Sequence, residues 1–204
     1  MRPRVALASC ILIALVLTAV GRGVVAEGRK GAQIGKKAPA WKDLMGADDK
    51  KHSLDDLKAA KAVLVVFMSN HCPVANAYEK RLVQFVKAYK SKGVELVAIN
   101  VSNLDDDKLD KMKERVKEEK LDFTYVYDPS QKLGYEYGAT VTPHCFILDA
   151  DRNVAYMGAF DDNQDEPKVK KQFVKDAVEA ILAGKKPPVA VTEQFGCAIP
   201  YEKK

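Results

Sequence analysis

The fold of this chain is decided by residues 62–75, which read AVLVVFMSNHCPVA. The first seven are apolar and rich in valine, as in a strand that is buried on both faces of a parallel sheet. From Pro73 onward the apolar residues recur at helical spacing, which predicts a helix that runs to Ser91 and ends before Gly93. A buried strand therefore leads through a short polar segment into a helix, and Cys72 stands at the helix start.

The rest of the chain continues this alternation of strands and helices. Residues 38–57 predict a short hairpin and a helical turn capped by Ser53. Further strands are predicted at 94–101, 123–127, 145–148 and 154–157, and further helices at 105–120, 130–137 and 166–183. Alternating strands and helices indicate parallel pairing, and the last two strands add an antiparallel pair. The sequence thus predicts an α/β fold with a central mixed β-sheet flanked by helices and an N-terminal hairpin extension.

The first 26 residues have the pattern of a secretory signal peptide. Arg2 and Arg4 precede an apolar run at 5–20, and small residues follow at 24–26. The run is shorter than the ~20 residues that span a bilayer, although an uncleaved anchor stays an alternative. We expect an exported protein, periplasmic or extracellular, that is not held in a membrane after cleavage. Losing the three arginines and no acid of this segment, and Cys10 with them, would lower the formal charge from +5 to +2.

The remaining residues fit one domain with its own core. Residues 27–37 predict a flexible lead-in, residues 38–184 the domain itself, and residues 185–204 a C-terminal tail without strong periodicity. No basic face interleaved with aromatic residues is visible, so we expect no nucleic-acid partner. We also expect no cofactor and a monomer or weak dimer.

Cys72 is the strongest candidate for a reactive group. The free N–H groups and the dipole of a helix N-terminus favour a thiolate, which is the nucleophilic form of cysteine. Three cysteines follow the signal segment, Cys72, Cys145 and Cys197. In an oxidising compartment an odd number leaves at least one thiol free, paired with another molecule or bound to something.

Residues 67–75 (FMSNHCPVA) resemble the active-site loop of thioredoxin-like redoxins, and Val141-Thr142-Pro143 resembles their cis-proline loop. The resemblance covers roughly residues 35–184. It is strongest to the exported, Ser-Asn-His-Cys-Pro-bearing proteins of the alkyl hydroperoxide reductase/thiol-specific antioxidant class. It implies a thioredoxin-like fold, a cis Thr142–Pro143 bond beside the reactive sulfur, and thiol oxidoreductase activity. The implied partners are protein or small-molecule thiols and disulfides, or a peroxide.

The chain departs from both families that it resembles. A thioredoxin motif would place a second cysteine at position 75, where this chain has Ala75, so the usual loop disulfide cannot form. A typical peroxiredoxin has a proline where this chain has Val65. Its peroxide-polarising arginine has no clear counterpart, and Arg81 and Arg115 are candidates only because they lie near in sequence.

A lone loop thiol can still turn over if a second thiol resolves it. Cys197 is the better candidate, because Gly196 permits a tight approach and the tail could fold back over the active-site end. A static staple or a bond between chains is the alternative for Cys197. Cys145 should lie near Cys72, but as a strand residue it could equally be a small buried hydrophobe.

Two histidines each directly precede a cysteine. His71 could lower the pKa of Cys72 or relay a proton. The cis-proline loop would bring the His71–Cys72 and His144–Cys145 pairs together, which raises a soft-metal carrier of Cu(I) or Zn as an alternative. A binding domain that has lost turnover is a second alternative.

Two other polar features have simpler interpretations. Ser69 fits the Thr/Ser position of the peroxiredoxin pattern and could hydrogen-bond the developing charge. The three aspartates at 105–107 are interpreted as a favourable start of the following helix.

Overall fold

A seven-stranded mixed sheet forms the centre of the computed structural model, which describes residues 31–202. The predicted signal peptide, residues 1–26, lies outside these described residues. The strands are β1 (Leu44–Gly46), β2 (Lys51–His52), β3 (Ala62–Phe67), β4 (Val94–Asn100), β5 (Thr124–Tyr127), β6 (Val141–Thr142), β7 (His144–Leu148), β8 (Val154–Gly158) and β9 (Cys197–Ala198). The α-helices are α1 (Pro73–Tyr89), α2 (Leu109–Glu119), α3 (Lys132–Tyr137) and α4 (Phe173–Leu182). Short 3-10 turns lie at Leu54–Leu57, Lys90–Lys92, Asp105–Asp107 and Glu166–Lys168.

The order of the strands confirms the predicted mixed sheet. They lie in the order β2-β1-β5-β4-β3-β7-β8, with β3 parallel to β4 and antiparallel to β7. The predicted N-terminal hairpin is β1 and β2, and β1 also pairs with β5 at the edge of the sheet. Strands β6 and β9 form a separate two-stranded sheet that the sequence did not predict.

The central strand β3 is buried on both faces, as its apolar run predicts. Successive strand side chains point to opposite faces, so Leu64 and Val66 pack on one side and Val63, Val65 and Phe67 on the other. Helices α1, α2 and α4 cover the first face, and Trp41 and α3 contribute to the second. Since β3 is fixed on both sides, the loop that follows it has a fixed starting point.

Residues 31–37 are not the flexible lead-in that their composition predicts. The Ala32 N–H donates to the Tyr137 carbonyl (3.1 Å), and the Gly35 N–H donates to the Val154 carbonyl (2.8 Å). Ile34 also forms a bridge with Val154. Backbone hydrogen bonds, which composition does not reveal, hold this segment against the end of α3 and the start of β8.

The tail is docked along its described length. It first runs beside β8, where the Met157 N–H donates to the Ala190 carbonyl (3.0 Å). It then pairs with β6 through β9. Beyond β9, the side chain of Gln131 accepts from the Glu202 N–H (2.8 Å) and donates to the Pro200 carbonyl (3.2 Å). These contacts bring the tail across the end of the sheet from which α1 starts.

Candidate functional site

Cys72 is the N-cap of α1, with Pro73 in the first helical turn. Its sulfur accepts a hydrogen bond from the Ala75 N–H (3.3 Å), one of the free donors at the helix start. Its thiol donates to the Thr142 carbonyl (Sγ···O 3.0 Å). The side chain is 0% exposed. The sulfur thus lies between a helix N-terminus and the segment that precedes Pro143.

The Thr142–Pro143 peptide bond is cis, which confirms the prediction from the redoxin resemblance. The Thr142 hydroxyl lies 3.0 Å from the hydroxyl of Ser69. Ser69 therefore contacts the cis-proline loop, and its hydroxyl connects this loop to the segment that carries Cys72.

Cys197 is brought to the same place by the pairing of β6 with β9. In this antiparallel pair Cys197 lies opposite Thr142, whose carbonyl accepts from the Cys72 thiol. Gly196 makes the approach possible, because a Cβ at this position would overlap the Thr142 carbonyl oxygen. Both cysteines are free thiols. Strand β9 has two residues and is too short for a periodic pattern in the sequence. Gly196 was therefore the one local sign that the chain approaches Thr142 here.

The two thiols have opposite tendencies to ionise. Burial raises the pKa of Cys72, but hydrogen bonds from the Cys197 thiol, the Thr142 hydroxyl and the Ala75 N–H outweigh it and leave the pKa below its ordinary value. Burial and the neighbouring Cys72 raise the pKa of Cys197. The pair therefore favours a thiolate on Cys72 and a proton on Cys197, which is the asymmetry of a nucleophile with a second thiol in reserve.

His71 is held by Asp107, one of the three aspartates whose position predicts a helix start. The carboxylate of Asp107 bonds to Nδ1 of the His71 ring and accepts from the backbone N–H groups of Asn70 (2.6 Å) and His71 (3.2 Å). The predicted helix at 105–120 is broken at Lys108, which has an extended conformation, and α2 begins at Leu109. The side chain of Asp107 is therefore buried against the loop of Asn70 and His71. A helix that began at Asp105 would instead have placed the three aspartates in its first turn, where they would stabilise the helix dipole.

The predicted meeting of the two His–Cys pairs is wrong. His144 and Cys145 are consecutive residues of β7, so they point to opposite faces of the sheet. His144 lies beside the Phe146 ring and lines a cavity of about 250 Å³ together with Tyr137. Cys145 belongs to the core on the α1 side, where burial raises its pKa. Cys145 is a buried hydrophobe, the alternative that the sequence left open.

Both candidate arginines are committed to ion pairs. Arg81 bonds to Asp161 (2.5 Å) and to two backbone carbonyls of the following loop. Arg115 forms a two-pronged bond with Glu79 (2.6 and 2.8 Å). Both guanidinium groups therefore have structural partners, and none of these contacts links either arginine to a peroxide.

The described residues 31–202 contain no group of three or more His, Cys, Asp or Glu side chains that could hold a metal ion. Within the same residues, no helix combines the length and the apolarity that a membrane crossing requires.

Fold and site define a class: a thioredoxin-fold protein with a thiol at a helix N-cap beside a cis-proline. The family model described as Redoxin matches residues 33–173, and the chain belongs to this family. A curated relative, the thiol-disulfide oxidoreductase ResA of Bacillus thuringiensis (strain Al Hakam), is 35% identical over 151 residues, which cover 71% of this chain and 82% of the relative. These findings support an oxidoreductase that acts on thiols and disulfides.

Two solved structures support the fold. An uncharacterized conserved protein from Geobacillus kaustophilus superposes with a TM-score of 0.79 at 29% identity, covering 86% of this chain and 95% of the other. A protein described as a thiol:disulfide interchange protein DsbE from Chlorobium tepidum gives a TM-score of 0.60 at 21% identity, covering 76% and 98%. The predicted thioredoxin-like fold is confirmed.

Proposed function

We propose that this chain is an extracytoplasmic thiol-disulfide oxidoreductase in which Cys72 attacks a disulfide and Cys197 completes the cycle. The observation that carries the proposal is the pairing of β6 with β9, which sets Cys197 opposite Thr142 while the Cys72 sulfur contacts the same residue. The pattern of residues 1–26 supports the export.

The reaction begins when the Cys72 thiolate attacks one sulfur of a substrate disulfide. A bond forms between Cys72 and that sulfur, and the other sulfur leaves as a thiolate that takes up a proton. Cys197 then gives up its proton and attacks the Cys72 sulfur, and the second substrate sulfur leaves as a thiolate that takes up a proton. The protein dithiol is oxidised by two electrons to a Cys72–Cys197 disulfide, and the substrate disulfide is reduced to two thiols. The reverse sequence oxidises a dithiol substrate.

The other predicted site residues have supporting roles. Thr142 and Pro143 border the sulfur and shape the groove in which the substrate sulfur lies. Ser69 holds the Thr142 side chain through their hydroxyl contact. His71 gives a proton to the first leaving sulfur and takes the proton of Cys197 in the second step. Ala75 leaves no second thiol in the loop, so the tail provides the resolving group.

The test is a trapping experiment with the Cys197→Ser variant. Reduced protein is mixed with 2-hydroxyethyl disulfide and analysed by mass spectrometry without reduction. Wild type should accumulate a Cys72–Cys197 disulfide, and Cys197→Ser should accumulate a mixed disulfide on Cys72. The matched control, Cys145→Ala, should behave as wild type. If Cys197→Ser reacts and releases both substrate thiols as fast as wild type, Cys197 does not resolve the intermediate.

A peroxide is the other substrate that the redoxin resemblance implies. Ser69 and Cys72 have the peroxiredoxin spacing, but Arg81 and Arg115 are held by Asp161 and Glu79. We therefore favour the disulfide. The same measurement after exposure to hydrogen peroxide compares the two substrates, because a faster reaction with peroxide than with the disulfide would reverse this preference.

A further inference from the structure

Asp107 is a fully buried carboxylate that the proposed reaction has not yet used. Its side chain is 0% exposed. Burying a carboxylate is costly unless it is hydrogen-bonded and paired. Here the backbone N–H groups of Asn70 and His71 donate to Oδ1, and the Asn100 side-chain amide lies 3.4 Å from the same oxygen. Oδ2 bonds to Nδ1 of the His71 ring.

His71 is the basic side chain that faces the Asp107 carboxylate. Among residues 31–202, His71 is the basic side chain in ion-pair contact with Asp107. The neighbouring Lys108 pairs instead with Asp105 (2.6 Å). The phenols of Tyr125 and Tyr127 lie close enough that the Asp107 charge helps to raise their pKa values, so both stay neutral. Thus the protein places one negative charge behind one imidazole ring.

The contact with Asp107 also fixes the tautomer of His71. A carboxylate accepts hydrogen bonds, so the ring nitrogen that faces it, Nδ1, carries the proton. In the neutral ring Nε2 then holds a lone pair. The side chain of His71 is 25% exposed while that of Asp107 is sealed, so the open edge of the ring is the one away from the carboxylate. His71 directly precedes Cys72, so its ring belongs to the loop that carries the reacting sulfur.

We propose that Asp107 is a positioning residue that makes His71 a general acid and base for thiol-disulfide exchange. Cys72 reacts as the thiolate, so Nε2 of His71 takes its proton from solvent, and the carboxylate lies behind the imidazolium so formed. When the substrate S–S bond breaks, Nε2 gives this proton to the leaving thiolate. The proton thus passes from the ring to the leaving sulfur, and Nε2 is left with the lone pair that takes the Cys197 proton in the second step. This inference rests on the proposed function and adds a residue and a proton path to it.

The leaving group of the substrate allows this role to be separated from a merely structural one. A general acid assists a sulfur that leaves as a basic thiolate, and it adds little for a sulfur that is already a stable leaving group. Reduced protein is therefore mixed with 2-hydroxyethyl disulfide, a poor leaving group, and with 4,4′-dithiodipyridine, a good one. The variants are Asp107→Asn, His71→Gln and their combination. Asp106→Asn is the matched control, since Asp106 is an exposed neighbour of Asp107.

Asp107→Asn should slow the reaction with 2-hydroxyethyl disulfide by on the order of a hundredfold, and the reaction with 4,4′-dithiodipyridine by a few-fold at most. His71→Gln should do the same, and the double variant should be no slower than His71→Gln alone. Asp106→Asn should match wild type. Equal losses on both substrates, or a full additional loss in the double variant, would show that Asp107 acts only as a loop anchor.

A second measurement uses wild-type protein and does not depend on the folding of a variant. The nitrogen chemical shifts of the neutral His71 ring should show the proton on Nδ1. A proton on Nε2 overturns the inference while leaving the trapping result for Cys72 and Cys197 intact. If wild type reacts with neither disulfide, the proposed function fails and the role of Asp107 fails with it.

Discussion

The dipeptide His-Cys occurs twice in this chain, and the two copies lie in opposite environments. His71-Cys72 ends a loop and begins α1, and both of its side chains have polar partners. His144-Cys145 lies in β7, where both side chains are buried and burial shifts the pKa of each. The pKa of Cys72 is lowered, whereas burial raises the pKa of Cys145. The same two residue types therefore have polar partners at a helix start in one place and are buried within the sheet in the other.

The backbone explains this difference. A helix N-cap presents free N–H groups to the side chain, so a thiolate gains hydrogen bonds there. A strand uses its N–H groups in the sheet and sends neighbouring side chains to opposite faces. His144 and Cys145 thus cannot act on one substrate, although they are adjacent in sequence. The N-cap position thus supplies Cys72 with the Ala75 N–H as a donor, whereas Cys145 lies in a strand paired with its neighbours.

The largest effect that separates the two copies is expected on the reaction itself. Cys72→Ser should slow the reduction of 2-hydroxyethyl disulfide by on the order of a thousandfold or more, because it removes the nucleophile. Cys145→Ala should leave this rate within about twofold and cost about 1 kcal/mol of stability for the lost packing. The measurement is single-turnover kinetics with reduced protein, together with urea unfolding. A loss of activity in Cys145→Ala at unchanged stability would contradict the division between the two copies.

The sequence predicts the first copy better than the second because its signals are local. A valine-rich strand, Cys72, Pro73 and a helical pattern follow one another within a few residues, so the helix N-cap is visible without knowing the rest of the fold. The pairing of Cys197 with Thr142 depends on residues far apart in the chain, and Gly196 is its single local sign. The spacing could not show that His144 faces away from Cys72, because that depends on the register of β7 in the sheet.

Asp107 shows why part of the site was missed. It is the last of three identical residues, and nothing in their sequence distinguishes the buried one from its two exposed neighbours. What distinguishes it is contact with the backbone of Asn70 and His71, 36 or more positions earlier in the chain. This contact requires the extended conformation of Lys108 before α2. The sequence does not predict that break, because the charged residues around Lys108 continue the helical spacing.

A smaller effect is expected when the buried histidine of the second copy is removed. Burial lowers the pKa of His144 to about 4, below its ordinary value of 6.5. The folded state therefore disfavours the protonated ring. Stability that is fully present above pH 6.5 is lost as the pH falls towards 4, by about 3 kcal/mol in total. His144→Gln should abolish this part of the acid sensitivity.

The measurement compares urea unfolding of wild type and His144→Gln between pH 7 and pH 4. The reference is the difference between the two proteins at pH 7, because it contains the cost of the substitution itself. As the pH falls below 7, the free energy of unfolding of wild type should decrease more than that of the variant. Parallel curves over this range would mean that His144 is not buried in its neutral form.

The last effect concerns the tail, whose strand β9 places Cys197 opposite Thr142 beside the first copy. Gly196 and Gly184 both have positive φ angles, +155° and +71°, but only Gly196 has a backbone neighbour where a Cβ would stand. Gly184→Ala should cost about 1 kcal/mol for its conformation alone, and Gly196→Ala about 2 kcal/mol more because the side chain overlaps the Thr142 carbonyl.

Since that overlap separates β9 from β6, Gly196→Ala should also slow formation of the Cys72–Cys197 disulfide at least about tenfold, as 1.4 kcal/mol corresponds to a factor of ten. Gly184→Ala should form the disulfide at the wild-type rate. Equal rates in all three proteins would show that Cys197 reaches Cys72 without the β6–β9 pairing, and the contrast between the two His-Cys copies would then rest on the helix N-cap alone.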